Sequence, residues 1–174
     1  MDHSDHTNLL RGGVDGSGGV WADLGAGTGA FTLALAELLG ADGEIEAIDR
    51  DAGALRTNAK AMRARFPQAR VRYQAADFTL PLTLPMLDGM VMAHALHFQS
   101  DQDAVVQRLR GYLRPGGRLL IVEYNIEDGT PAVPHPVPYS RWERLARDAG
   151  FEQTELLARR PSRFLREIYS AVSR

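Results

Sequence analysis

The chain of 174 residues contains no cysteine, which excludes disulfide bonds, thiolate ligands for a metal and a cysteine nucleophile. It also lacks any apolar run near the roughly 20 residues that a membrane-spanning helix needs. A formal net charge of −2 provides no basic surface of the kind that binds nucleic acid. The first residues, Met1 to His6, are polar and acidic and do not resemble a signal peptide. These absences favour a cytoplasmic protein without a membrane or nucleic-acid partner, and no metal site is predicted.

The composition is that of an ordinary globular domain, with 44% hydrophobic and 24% charged residues. At this length one domain with a full core is expected, with little room for a second. Residues 1–19 are polar and rich in glycine, and we expect a flexible lead-in there. Residues 20–174 are then the folded domain.

A glycine-rich loop is the most informative segment, with Asp23, Gly25, Gly27 and Gly29 following an apolar strand and leading into a helix over 30–39. Glycines permit positive φ and close approach of a ligand, and the new helix presents unpaired N–H groups. The spacing satisfies the dinucleotide fingerprint, with Ala30 as its third small residue. It also resembles the acidic-x-G-x-G-x-G loop of class I methyltransferases that use S-adenosylmethionine. A carboxylate at position 23 suits the ammonium of that cofactor better than a pyrophosphate, so the second interpretation is favoured.

Strands and helices alternate along the rest of the chain. The last two predicted strands are close in sequence, so they are expected to pair antiparallel. The pattern predicts an α/β fold, with a doubly wound, mostly parallel seven-stranded sheet and a C-terminal antiparallel strand pair. The predicted strands are 20–22, 44–49, 71–76, 88–93, 118–124, 151–158 and 166–172, and the predicted helices are 30–39, 52–65, 102–113 and 140–150.

Four segments in order resemble a small class I S-adenosylmethionine-dependent methyltransferase of the type that acts on small molecules. They are the loop from Asp23 to Gly29, Ile48-Asp49-Arg50, Ala76-Asp77-Phe78 and the turn from Leu113 to Leu119. The resemblance covers the chain from about Val20 to Val172. It implies the Rossmann-like fold of that family and S-adenosylmethionine as the cofactor.

The resemblance also implies roles for individual residues. Asp23 would pair with the ammonium, directly or through water, Asp49 would accept both ribose hydroxyls, and Asp77 would contact the adenine amino group. Phe78 would pack on the adenine or fill the core. The full set of predicted cofactor-binding residues is Asp23, Gly25, Ala26, Gly27, Gly29, Asp49, Arg50, Ala76, Asp77, Phe78 and His94.

Two histidines follow the fourth predicted strand, at the edge where open α/β sheets bind ligands. A histidine with a pKa near neutral can take a proton from the O–H or N–H group of the molecule to be methylated, so His94 is the candidate catalytic residue. The alternative is that it is structural. A structural role is favoured for His97.

A small organic molecule is the expected methyl acceptor. The proline-rich segment Thr130–Pro138, with Tyr139 and Trp142, is the candidate acceptor wall. Leu9-Leu10-Arg11 either folds over the cofactor or belongs to a disordered tail. The N-terminal segment and the insert after the fifth predicted strand are short, so little chain is available to cover the site. We therefore expect an open site or one completed by a second subunit in a homodimer.

Two other functions compete with methyl transfer. An NAD-dependent oxidoreductase uses the same kind of loop, although the length and the final strand pair argue against it. A non-catalytic protein that binds S-adenosylmethionine or S-adenosylhomocysteine would carry identical cofactor residues.

Overall fold

The computed structural model describes residues 1–14, 16 and 18–174. Its sheet has seven strands in the order β3-β2-β1-β4-β5-β7-β6. The strands are β1 (Gly19–Leu24), β2 (Gly43–Asp49), β3 (Arg70–Ala75), β4 (Leu87–Ala93), β5 (Leu113–Tyr124), β6 (Thr154–Pro161) and β7 (Glu167–Ser173). The helices are α1 (His3–Arg11), α2 (Ala30–Leu39), α3 (Ala52–Arg65), α4 (Gln102–Arg110) and α5 (Tyr139–Asp148).

Strands β1 to β5 run parallel, whereas β7 lies antiparallel between β5 and β6. This arrangement confirms the predicted fold class. None of the helices in the described ranges is long and apolar enough to cross a bilayer.

Alternate residues of the central strands supply two separate cores, as the period of two in a strand requires. Along β5, Leu119 and Ile121 pack in the core that includes Trp142 of α5, while Leu120 and Val122 face the opposite side with Leu35 of α2. Helices α4 and α5 therefore cover one face of the sheet, and α1, α2 and α3 cover the other.

The connections of the sheet create a crevice at the carboxyl ends of β1 and β4. The chain leaves β1 through α2 and reaches β2 on one side, while β4 pairs with β1 on the other side. Strand order reverses at this point, and open α/β sheets bind their ligands there.

The structure corrects the expectation of a flexible lead-in for residues 3–11, which form α1. Asp2 and Asp5 make a reciprocal capping box at its start, with both hydrogen bonds at 2.9 Å. Leu9 and Leu10 are buried against α2 and the sheet. The short apolar face of α1 is followed directly by a glycine-rich stretch, so composition alone does not predict the helix. Asp15 and Ser17, also assigned to the lead-in, lie outside the described residues.

Two predicted boundaries around the fifth strand also change. Helix α4 ends at Arg110, and β5 begins at Leu113 rather than Arg118. The register between β4 and β5 shifts between Leu87 and Gly89, opposite the turn that contains Gly116 at φ +77°. The turn is an irregularity within the strand, so backbone pairing continues on both sides of it.

If α1 is part of the core, Leu10→Ala should lower the free energy of unfolding by about 2–5 kcal/mol, because a fully buried leucine leaves a cavity. Urea unfolding followed by circular dichroism measures this. Asn8→Ala, on the exposed side of the same helix, should change it by less than about 0.5 kcal/mol. Equal effects of the two substitutions would contradict the packing of α1.

Candidate functional site

A cleft of about 220 Å³ opens at the carboxyl edge of β1, β2, β3 and β4. Its walls come from the loops that follow these strands, so residues distant in sequence meet there. The lining residues are Gly25, Asp49, Arg50, Ala76, Asp77, Phe78, His94, Ala95, Phe98 and Gln99.

The glycine loop passes close to its neighbours at two positions. At Gly25 the backbone has φ +75°, and a Cβ there would lie 2.8 Å from Cβ of Ala95. At Gly29 the backbone has φ +101°, and a Cβ would lie 2.6 Å from the side chain of Asn58. Glycine is therefore required at both positions by the backbone angle and by the space available.

Asp49, the last residue of β2, holds the loop in place. Its Oδ2 accepts a hydrogen bond from the Gly27 N–H at 2.8 Å, and its Oδ1 accepts one from the Asp51 N–H at 2.8 Å. A carboxylate oxygen has two lone pairs, so each oxygen can accept one further bond. Because Asp49 also lines the cleft, these acceptor sites are available to a ligand with two adjacent hydroxyls.

Asp77 lies just beyond β3 on the other side of the cleft. Its Oδ1 accepts hydrogen bonds from the Thr79 N–H at 2.9 Å and the Thr79 hydroxyl at 2.7 Å. These bonds lower the pKa of the Asp77 carboxyl, which stays charged at neutral pH. Phe78 is 9% exposed and packs in the core, which is one of the two alternatives given for it, and it also lines the cleft. Its contact with adenine stays a prediction.

Asp23 lies beneath the loop and does not line the cleft. It is 1% exposed, and its Oδ2 accepts a 2.5 Å hydrogen bond from the Thr32 hydroxyl, which in turn accepts one from the Asn58 amide at 2.8 Å. Burial raises the pKa of Asp23 from 3.8 to about 7; the Thr32 bond opposes this rise and the nearby Asp49 charge adds to it. This carboxyl therefore titrates near neutral pH.

His94 follows β4 in an unusual conformation, with φ +51°. Its N–H donates to the Val122 carbonyl at 2.8 Å, which fixes the backbone, and its ring lies 4.7 Å from the ring of Tyr124. Both ring nitrogens are buried without a hydrogen-bond partner among the described residues. Burial lowers the pKa of His94, although Glu123 partly opposes this, so the ring is neutral near pH 7.

His97 is anchored in the interior, as favoured from the sequence. Its Nδ1 lies 2.6 Å from Oε2 of Glu123, and its backbone N–H donates to Oε1 of the same carboxylate at 3.3 Å. Both residues are at most 2% exposed. Oε2 of Glu123 also lies 4.0 Å from Nδ1 of His94, so one buried carboxylate faces both histidines.

Seven of the predicted cofactor-binding residues meet in the cleft, and four lie behind its wall. Those in the cleft are Gly25, Asp49, Arg50, Ala76, Asp77, Phe78 and His94. Asp23, Ala26, Gly27 and Gly29 instead shape the loop; Ala26 is 7% exposed and packs with Ala47 and Leu55. Ala95, Phe98 and Gln99 also line the cleft and were missed, although their proximity to His94 was a usable signal.

The structure corrects the acceptor wall inferred from the sequence. Trp142 is fully buried in the core, and Tyr139 packs edge-on against Tyr169 at 5.7 Å. The proline-rich segment is exposed at Pro131, Ala132 and Pro134 and buried at Val133 and residues 136–138, and none of it lines the cleft. Its His135 N–H donates to the His97 carbonyl at 3.0 Å. Leu9 and Leu10 pack in the core behind α2, so neither alternative for Leu9-Leu10-Arg11 describes them.

Comparisons with known proteins agree with this geometry. A family model described as "Methyltransferase domain" matches residues 15–154. The ubiquinone/menaquinone biosynthesis C-methyltransferase UbiE of Idiomarina loihiensis is 32% identical over 104 residues, which are 59% of this chain and 41% of that protein. The chain thus spans less than half the length of this curated relative.

Solved structures share the fold at low identity. The YcgJ protein from Bacillus subtilis has a TM-score of 0.75 at 15% identity, with 98% of each chain covered. Magnesium protoporphyrin IX methyltransferase from Synechocystis, solved with bound S-adenosylmethionine, has a TM-score of 0.71 at 15% identity, covering 98% of this chain and 77% of that one.

The buried Asp23 carboxyl makes a prediction about pH. The folded state retains a proton that the unfolded chain releases above pH 3.8, so the wild type should lose stability relative to Asp23→Asn between about pH 4 and pH 7. Because the pKa of Asp23 lies about three units above its ordinary value, the expected change in the free energy of unfolding is roughly 4 kcal/mol. Urea unfolding of both proteins from pH 4 to pH 8 measures the difference. A difference that is constant over this range would contradict the shifted pKa.

Proposed function

The chain belongs to the methyltransferase domain family, and we propose that it binds S-adenosylmethionine in the cleft and transfers the methyl group to a small-molecule acceptor. One observation carries the proposal. Gly25, Asp49, Asp77 and His94, from the ends of four different strands, line a single cleft at the point where the strand order reverses.

The cofactor is held by complementary polar groups along this cleft. Asp49 accepts hydrogen bonds from the two ribose hydroxyls. It uses the carboxylate lone pairs that the N–H groups of Gly27 and Asp51 do not occupy. The Oδ2 atom of Asp77 accepts a hydrogen bond from the adenine amino group, while Oδ1 keeps its hydrogen bonds from Thr79. The adenine ring packs against Phe78.

Asp23 acts on the ammonium end through the loop rather than by direct contact. Its side chain is buried behind Gly25 and bonded to Thr32, so its negative charge reaches the cleft across the loop. A bound ammonium favours the charged carboxylate and lowers its pKa. Methionine-end binding near pH 7 should therefore release a proton from Asp23.

The cofactor supplies a methyl group on a positively charged sulfur, which is a good leaving group. Once bound, it would give up this methyl group to the acceptor nucleophile, and the sulfur would keep the electron pair of the broken bond. The protein mainly aligns the reacting atoms and excludes water. His94 accepts the proton that the acceptor loses, since its ring is neutral, lines the cleft and makes no hydrogen bond to the described residues.

The match covers 41% of the length of the curated relative, so the particular reaction of that protein is not assigned to this chain. That relative is a C-methyltransferase of ubiquinone and menaquinone biosynthesis, which supports a small organic acceptor for this chain. A protein that only binds S-adenosylmethionine has no need for an unpartnered imidazole in the cleft, which favours the enzyme. The cytoplasmic location and the homodimer stay predictions.

Calorimetry should show that the protein binds S-adenosylmethionine and S-adenosylhomocysteine in preference to NAD. Asp49→Ala should weaken binding of both by about tenfold or more, because two hydrogen bonds to a carboxylate are lost. Asp49→Asn retains an acceptor for the Gly27 N–H and separates the loss of the ribose contact from disorder of the loop.

Asp51→Asn is the matched control, because it keeps an N-cap on α3 and removes a charge two residues away. Its affinity should equal that of the wild type. Preferential binding of NAD would overturn the proposed function, and unchanged affinity in both Asp49 variants would mean that the ribose lies elsewhere.

His94→Gln should lower the rate of methyl transfer to small phenolic and enolic acceptors by about 100-fold without changing the affinity for the cofactor. In the wild type the rate should fall with acidity only below the ordinary histidine pKa of 6.5, since burial lowers the pKa of His94. Transfer of a radiolabelled methyl group measures both effects.

His135→Gln, a substitution outside the cleft, serves as the control. An unaffected rate in His94→Gln would assign His94 a structural role.

A further inference from the structure

A second groove, of about 520 Å³, opens beside the cofactor cleft at the same edge of the sheet. Tyr124, the last residue of β5, and Pro161, the last residue of β6, contribute to it, and Ile168 lies near the start of the antiparallel β7. The start of α1 and the turn 162–166 form its rim. None of the residues assigned to the cofactor lines this groove.

Aromatic side chains connect the groove to the cleft. Phe164 is 64% exposed on the groove side, and its ring lies 6.0 Å from that of Tyr124. Tyr124 in turn lies 4.7 Å from the ring of His94, which lines the cofactor cleft. A flat molecule lying along Tyr124 and Phe164 would therefore be separated from the ring of His94 only by the ring of Tyr124.

Of the two arginines that line this groove in the described part of the chain, one is available to a ligand. Asp2 and Asp5 are used in the capping box of α1, and Asp5 also pairs with Arg160. Arg163 lines the groove and is exposed, and it makes no ion pair or hydrogen bond within the described ranges of the chain. A guanidinium binds a carboxylate in a bidentate manner.

We propose that this groove binds the methyl acceptor, and that the acceptor is a planar aromatic molecule with an anionic substituent. The aromatic ring lies against Tyr124 and Phe164, the anionic group pairs with Arg163, and the atom to be methylated is presented to His94. The methyl-transfer role of the groove rests on the proposed function, whereas binding of such a ligand can be measured without the cofactor.

The test uses 4-hydroxybenzoate and its neutral analogue 4-hydroxybenzamide as probes, titrated into the whole chain and followed by two-dimensional NMR. The anion should bind at least about fivefold more tightly. Its shift changes should centre on the amides of Tyr124, Arg163 and Phe164. Equal affinity for the two probes, no binding, or shifts elsewhere would overturn the proposal.

Three variants separate the two parts of the site. Arg163→Ala should reduce the affinity for the benzoate to that for the benzamide, and Arg163→Lys should keep part of the preference. Phe164→Ala should weaken both probes alike, because it removes ring contact and no charge. Arg147→Ala removes an exposed arginine on α5 and should change neither affinity. An unchanged benzoate affinity in Arg163→Ala would overturn the anionic part.

The outcome is distinguishable from a failure of the proposed function. Binding of the benzoate in the groove without calorimetric binding of S-adenosylmethionine would overturn methyl transfer and leave the aromatic-anion site in place. Cofactor binding without probe binding would overturn the groove alone.

Discussion

The hydrogen bond from the Gly27 N–H to the Asp49 carboxylate ties the glycine loop after β1 to the end of β2. The same carboxylate receives the Asp51 N–H, immediately before α3 begins. One side chain therefore fixes the loop and the start of a helix, and it does so at the edge of the sheet where the cleft opens.

A second carboxylate, Asp23, supports the loop from below. Its contact with Thr32 links the end of β1 to α2, and Asn58 extends the chain of hydrogen bonds to α3. Keeping this group buried costs stability near neutral pH, where it would otherwise be ionised. A cationic ligand above the loop offsets part of that cost. If the methionine end binds as proposed, its binding and the protonation of this buried group are coupled.

The cofactor cleft and the neighbouring groove have different proposed roles. The polar cofactor cleft holds carboxylates at its ends, whereas the neighbouring groove offers aromatic rings and one arginine, Arg163, that is not in an ion pair within the described residues. His94 stands between them because its backbone adopts a positive φ that few residues other than glycine reach. Such strain persists where the surroundings enforce it, and here the bond to Val122 does so. The position of the imidazole is therefore fixed before any acceptor arrives.

Local patterns in the sequence determined the order of strands and helices, the glycine loop and the carboxylates at the strand ends, because these depend on residue type and short spacing. Only the tertiary structure decided which side chains face a cleft. Asp23 and Asp49 look alike in sequence, yet one is buried beneath the loop and the other lines the cleft. Trp142 was predicted to form part of an acceptor wall, but it is buried in the core. No local pattern marks Phe164, which only the fold brings next to Tyr124. Burial depends on packing between distant segments, and no local pattern records it.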